Sequence, residues 1–210
     1  MLRVHTIPFS TNVARVAMAL AHKGVDAEFV VHDPDDRSEL ERLSGQPLVP
    51  VLEDGEQVVH DSPVVLRHIE ERFPDQPLFP SDPARRAEMD VFIDWFNRVW
   101  KAPPNAIDAE LAKPEPDRAR IAECERELRG AQDVFEALLG GRDHLMGDDF
   151  SAADVIAWPF LRYGHGRGPG DEEPFHVILG DNLSLEARPR LDAWLRRVGE
   201  RPGTDPNPGS

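Results

Sequence analysis

The sequence predicts an α/β domain followed by an all-helical domain. Strand-like and helix-like segments alternate in the first part of the chain, and a proline-rich stretch without periodicity follows at residues 74–83. Beyond that stretch, apolar residues recur at helical spacing. We therefore predict domains at residues 1–74 and 84–200, with a disordered tail at 201–210.

The elements of the first domain follow from local patterns. Leu2–His5 is a strand that Pro8 halts, and Thr11–Lys23 carries apolar residues at helical spacing before Gly24 ends it. The later elements are a strand at Ala27–Val31, a short helix at Ser38–Leu43, two strands on either side of the turn Asp54-Gly55, and a helix at Ser62–Phe73. The order βαβ-α-ββα predicts a four-stranded mixed sheet with helices on its faces.

The second domain is predicted to contain only helices. They are Arg85–Lys101, which Pro103-Pro104 interrupts; a long helix that follows Pro114-Glu115-Pro116 and runs to about Leu139; Ser151–Trp158, which Pro159 breaks; and Arg188–Glu200. Phe150–Asp154 has the pattern of a capping box with a hydrophobic staple, which is a structural role.

Composition excludes several classes of function. A formal charge of −15 disfavours nucleic acid and anionic membranes as partners. The single cysteine, Cys124, forms no internal disulfide, and the N-terminal residues show no signal peptide, so we expect a cytoplasmic protein. The histidines have no metal-ligand spacing, so we expect no metal.

A hairpin entered through proline predicts a ligand site. An X–Pro bond such as Val49-Pro50 can be cis beside a strand, which turns the preceding backbone N–H and C=O outward to pair with an extended peptide. Asp61-Ser62 places an acid and a hydroxyl at a helix N-terminus, where unpaired N–H groups attract a carboxylate. Either residue can equally be an ordinary turn or cap residue.

Ser10 has two interpretations. It lies between the first strand and the first helix, where it, Thr11 or Asn12 can be a plain N-cap. Its hydroxyl can also donate to a thiolate and so lower the pKa of a thiol. No His/Asp partner stands at a recognisable spacing, so the sequence does not predict a hydrolase-type serine nucleophile.

Together these residues resemble the cytosolic glutathione transferase family, as a serine-type, phi- or theta-like bacterial member. The resemblance rests on Ser10–Val16, Val49-Pro50, Asp61-Ser62 and Phe150–Asp154, and extends to about Glu200. It implies a thioredoxin-like N-terminal domain, an all-helical C-terminal domain and a homodimer.

The resemblance also implies roles for individual residues. Ser10 would stabilise the thiolate of glutathione, the co-substrate. The expected thiol-binding residues are Leu48, Val49, Pro50, Asp61 and Ser62. The expected pocket for an apolar, electrophilic small molecule is lined by Phe9, Trp95, Phe96, Val99 and Trp100.

One departure from the family pattern leaves the ligand open. Leu48 stands where many members have a lysine or glutamine before Val-Pro, and its side chain cannot donate to the glycyl carboxylate. We therefore keep three hypotheses: a transferase that uses glutathione or another low-molecular-weight thiol, a non-catalytic binding module with the same fold, and a thiol-dependent isomerase or tailoring enzyme.

Overall fold

A computed structural model describes residues 1–205 and 208 of the 210-residue chain. The chain forms two compact units, Met1–Pro80 with the described part of Glu200–Ser210, and Ser81–Gly199. Among the described residues, no helix is long and apolar enough to cross a membrane.

The first unit contains the predicted four-stranded mixed sheet. Its elements are β1 (Leu2–Thr6), α1 (Thr11–His22), β2 (Ala27–Val31), α2 (Ser38–Ser44), β3 (Val51–Asp54), β4 (Gln57–His60) and α3 (Ser62–Arg72). The strand order is β2-β1-β3-β4, with β1 parallel to β2 and antiparallel to β3. This sheet with its helices confirms the predicted fold class of the first unit, and the alternating apolar residues Leu2 and Val4 of β1 are buried.

The register brings the candidate site segments to one end of the strands. The carboxyl ends of β1 and β2 lie together, since Thr6 pairs with Val31. Strand β3 runs the other way, with His5 opposite Val51, so the residues that enter β3 reach the same end. The loop after β1 leads into α1, so the segments around Ser10 and Val49-Pro50 start from neighbouring strand ends.

A buried ion pair holds the end of α3 in the first unit. Lys23 Nζ lies 2.7 Å from a carboxylate oxygen of Glu70 and donates to the carbonyls of Phe73, Asp75 and Gln76. The Glu70 carboxylate also accepts the backbone N–H groups of residues 78 and 79. One lysine thus satisfies the carbonyls at the helix end and the chain that leaves it.

The second unit is helical, as predicted. Its elements are α4 (Pro83–Trp95), a π-helical turn (Phe96–Trp100), α5 (Ala102–Leu111), α6 (Arg118–Leu138), α7 (Ala152–Leu161), a 3₁₀ turn (Arg162–His165), α8 (Pro174–Asn182) and α9 (Pro189–Gly199). Helix α7 is buried along its whole length. The predicted capping box is present, and the Asp154 carboxylate also accepts from Leu145 N and Trp194 Nε1.

The structure differs from the helix predictions of this unit at its prolines. Pro103-Pro104 does not end the helical path, because the two residues occupy the first turn of α5, where their missing N–H groups cost nothing. The prediction that Pro159 breaks the helix is wrong, since α7 continues to Leu161 with Pro159 inside it. Neither α5 nor α8 was predicted from the sequence.

The chain after α9 returns to the first unit. An Arg201 guanidinium nitrogen lies 3.0 Å from His22 Nδ1, and the Thr204 hydroxyl donates to the Arg201 carbonyl. The predicted disorder of residues 201–210 stays a prediction, and residues 206, 207, 209 and 210 lie outside the described part of the chain.

Candidate functional site

Ser10 is the N-cap residue of α1 and keeps its hydroxyl proton for another partner. Its backbone is extended, and its Oγ accepts a hydrogen bond from Val13 N at 3.3 Å. Capping uses a lone pair of the hydroxyl, whereas stabilising an anion uses its O–H, so one serine can do both. The two sequence interpretations of Ser10 are therefore compatible.

In the loop before β3, the side chain of Gln46 forms two hydrogen bonds with the backbone of Leu48. Gln46 Oε1 accepts from Leu48 N at 2.7 Å, and Gln46 Nε2 donates to Leu48 O at 3.0 Å. Leu48 is 70% exposed, and the following Val49-Pro50 bond is cis, the conformation that an X–Pro bond at this position allowed. Leu48 thus offers an exposed apolar side chain, while its backbone groups are bonded to Gln46.

Asp61 and Ser62 lie where β4 passes into α3. Asp61 has φ +69° and ψ +116°, a conformation that non-glycine residues rarely adopt, and its side chain is exposed. Ser62 is the first residue of α3 and is 3% exposed. Strained backbone of this kind concentrates at functional sites, because the surrounding structure must hold it in place.

A buried arginine lies beneath Ser62. Arg15 of α1 donates from one guanidinium nitrogen to Ser62 Oγ at 3.0 Å and to Asn12 Oδ1 at 3.1 Å. The Ser62 hydroxyl lies 3.4 Å from the same Asn12 oxygen. Burial lowers the pKa of Arg15 to about 9, and the nearby Asp61 charge opposes that change. Arg15 is therefore cationic at neutral pH.

The arginine and the helix create a local positive field in an acidic protein. The N–H groups at the start of α3 and the buried Arg15 charge both favour a carboxylate beside Ser62. Asp61, on the exposed side of the same turn, can accept from an ammonium group. A ligand that carries both an amine and a carboxylate fits this end of the site.

The sequence did not lead us to Asn12 and Arg15 as candidate site residues. The signal was present, because Arg15 stands among apolar residues of α1 that are all buried, such as Val13 and Val16. A charged residue at a buried helix position requires a partner. The sequence does not identify that partner, because Ser62 lies 47 residues further along the chain.

Of the pocket residues predicted in the second unit, two are buried and two are at least partly exposed. Phe96 and Trp100 are 0% and 1% exposed and stack with ring centroids 4.5 Å apart. Trp95 is half-buried, and Val99 is 56% exposed. Phe96, Val99 and Trp100 lie in the π-helical turn, where Lys101 N donates to Phe96 O. Phe9, in the first unit, is half-buried with φ +60°.

No metal-binding cluster occurs among the described side chains, since no group of three or more histidine, cysteine or acidic residues is placed to hold an ion. The single cysteine, Cys124, is buried, and burial raises the pKa of its thiol. A raised pKa makes this thiol a poor nucleophile at neutral pH.

Comparisons with known proteins match both units. Residues 4–77 match the family described as the N-terminal domain of glutathione S-transferase, and residues 118–197 match its C-terminal domain. The chain is 27% identical to glutathione S-transferase PARB of Nicotiana tabacum, covering 96% of this chain and 94% of the relative. It is 28% identical to glutathione S-transferase 3 of Zea mays, covering 96% and 90%.

A solved structure shares the fold. A glutathione S-transferase from Rhodospirillum rubrum superposes with a TM-score of 0.77 at 24% identity, covering 98% of this chain and 91% of that one.

Proposed function

The chain belongs to the glutathione S-transferase family and is an enzyme of the glutathione transferase type, and from that premise we propose how its own residues act. The first unit binds glutathione or another low-molecular-weight thiol, and Ser10 stabilises the thiolate. The thiolate then attacks the electrophilic carbon of an apolar molecule. A carbon–sulfur bond forms as the bond from that carbon to its leaving group breaks, the leaving group departs with the electron pair of that bond, and the thiol proton passes to solvent.

The observation that carries this proposal is the hydrogen-bonded group of Arg15, Ser62 and Asn12 at the start of α3. A γ-glutamyl carboxylate would accept from Ser62 and from the first N–H groups of α3, and its amine would donate to Asp61. The backbone of Val49 would pair with the cysteinyl part of the thiol, as an added strand does.

Ser10 would lower the pKa of the bound thiol by donating its O–H to the sulfur anion. Holding the thiolate beside the electrophile would supply much of the remaining rate enhancement. We propose that Trp95 and Val99 contact the electrophile, because their side chains reach the surface of the second unit. Phe96 and Trp100 would support them from the buried layer, and Phe9 stays a predicted contact from the first unit.

The test of Ser10 must separate capping from catalysis. Ser10→Asp retains an acceptor for Val13 N but donates nothing to a thiolate and repels it, whereas Ser10→Ala loses both functions. We expect turnover to fall roughly a hundredfold in both variants. Only Ser10→Ala should lose stability, by about 1 kcal/mol.

Conjugation rates, thiol dissociation constants and urea unfolding of the full chain measure these effects. The dissociation constant of Ser10→Ala should change by no more than about threefold, because the hydroxyl acts on the ionised sulfur. If either variant keeps full conjugating activity, the role proposed for Ser10 is wrong.

A second candidate function is a non-catalytic binding module. The exposed, apolar Leu48 favours it, because a peptide carboxylate beside that side chain would have no donor from it. Retention on immobilised glutathione and the ultraviolet absorbance of a bound thiolate distinguish the two candidates. A folded protein that shows neither would favour the binding module.

A further inference from the structure

A line of hydrogen bonds crosses the sheet on the side of β1 that carries Arg3 and His5. Glu53 Oε1 lies 2.7 Å from His5 Nε2 and 3.1 Å from an Arg3 guanidinium nitrogen. On the other side of the same ring, His5 Nδ1 lies 2.8 Å from His32 Nε2, and the two imidazoles stack with centroids 5.0 Å apart. His5 is 1% exposed, and His32 is half-buried.

The contact between the two histidines requires one proton between their nitrogens. With no added proton, His5 donates to Glu53, and His32 Nε2–H donates to His5 Nδ1. With one added proton, the pair still has a single proton between its facing nitrogens, and the contact persists. A second proton places an N–H on each of the facing nitrogens, so the contact becomes repulsive and opens.

The charges around the pair come from every neighbouring element. They are Arg3 on β1, Glu28 on β2, Glu53 on β3, Asp36 and Arg37 in the connection after β2, and Glu39 and Arg42 on α2. Burial, followed by the charge of His5, lowers the pKa of His32. The hydrogen bond from His5 is the largest cause of the lowered pKa of Glu53.

His32 is also the point where the chain leaves the sheet. It lies one residue beyond the end of β2, and its backbone N–H donates to Thr6 O at 2.8 Å. The connection 33–37 then leads to α2, and α2 leads to the loop that carries Val49-Pro50. The histidine pair therefore ties the β2–α2 connection to the centre of the sheet.

We propose that Glu53, His5 and His32 form an acid-sensitive latch that holds the β2–α2 connection on the sheet at neutral pH and releases it when a second proton enters the histidine pair. The direction follows from linkage. A histidine whose pKa is lowered by folding stabilises the native state above its ordinary value of 6.5, and that stability is lost as pH falls through the lowered value. The lowered pKa of Glu53 acts in the same direction at more acidic pH.

Hydrogen exchange of the full chain, followed by mass spectrometry and corrected for intrinsic rates, tests the latch without any thiol. Between about pH 7.5 and about pH 5 we expect protection of residues 33–44 to fall at least tenfold. His32→Gln keeps an amide that donates to His5 Nδ1 and cannot titrate, so it should retain protection at both pH values. His60→Gln removes an exposed histidine of the same unit and should behave like the unmodified chain.

Glu53→Gln supplies a second test, in which both histidines keep their native side chains. Without the Glu53 carboxylate the imidazolium forms are less stable, so the pH midpoint of release should move to more acidic values. Equal pH dependence in the unmodified chain and His32→Gln, or no pH dependence in the unmodified chain, would overturn the proposal. A midpoint that moves to higher pH in Glu53→Gln would also contradict it.

Discussion

At the scale of a single residue, we predict that Arg15 contributes to ligand binding more than to stability. Burying its charge is costly, and its hydrogen bonds to Ser62 and Asn12 offset part of that cost. In Arg15→Met the stem volume remains and the charge disappears. We expect the thiol dissociation constant to rise about tenfold or more, while unfolding free energy changes by less than about 2 kcal/mol.

Calorimetric titration and urea unfolding of the full chain measure the two quantities. Arg15→Lys is the matched variant, because it keeps the charge and loses the forked geometry of the guanidinium. It should bind thiol more tightly than Arg15→Met does. Equal affinities in the two variants would show that the charge of Arg15 does not act on the ligand.

The neighbours of two other residues support their place in the candidate site. Ser62 is the first residue of a helix, and the hydrogen bond from the buried Arg15 distinguishes it from an ordinary helix start. Asp61 has a positive φ, which an ordinary turn residue does not need, so the surrounding structure must offset the conformational cost. Leu48 remains the residue that argues most directly against a carboxylate at the other end of the ligand.

At the scale of an element, the end of α3 depends on the buried pair Lys23 and Glu70. Lys23→Met leaves a buried carboxylate without its cation and frees the carbonyls at the end of α3. We expect the free energy of unfolding to fall by about 3–5 kcal/mol. Replacing both residues by methionine should recover part of that loss, since no unpaired charge then remains buried.

Urea unfolding of the two variants measures the coupling. Arg120→Met is the matched control, because Arg120 and its partner Glu123 both have side chains about half exposed, and loss of such a pair should change the free energy of unfolding little. A Lys23→Met variant as stable as the unmodified chain would refute the stabilising role of this ion pair.

At the scale of the whole molecule, the family commonly forms dimers, and we predict a homodimer here. In the first unit, Val58 of β4 and Val64 of α3 are 39% and 49% exposed on elements that pack side by side. Exposed apolar residues on adjacent elements are typical of an association surface. Val64→Glu should therefore convert the dimer to monomer.

Sedimentation or gel filtration at micromolar concentration gives the result. Val134→Glu is the matched control, because Val134 is a helical valine with 42% exposure in α6 of the second unit. A native monomer, or a Val64→Glu protein that remains dimeric, would contradict the prediction.

Local patterns were sufficient for the first unit and less so for the second. The strands and helices of the first unit follow alternation, helical spacing and caps, which act between near neighbours. Pro159 shows the limit of such patterns, because the packing of a fully buried α7 outweighs the cost of a proline inside it. Pro103-Pro104 shows another, since a proline pair can begin a helix as readily as end one.

The sequence by itself determined the two-part architecture, the proline-led hairpin and the candidate roles of Ser10, Asp61 and Ser62, because each depends on residues close together in the chain. Only the tertiary structure decided what lies around them. It brought Arg15 to Ser62, His5 to His32 and Lys23 to Glu70 across separations of 47, 27 and 47 residues. Side-chain partners this distant are chosen by the pairing of strands and the packing of helices, which no local pattern records.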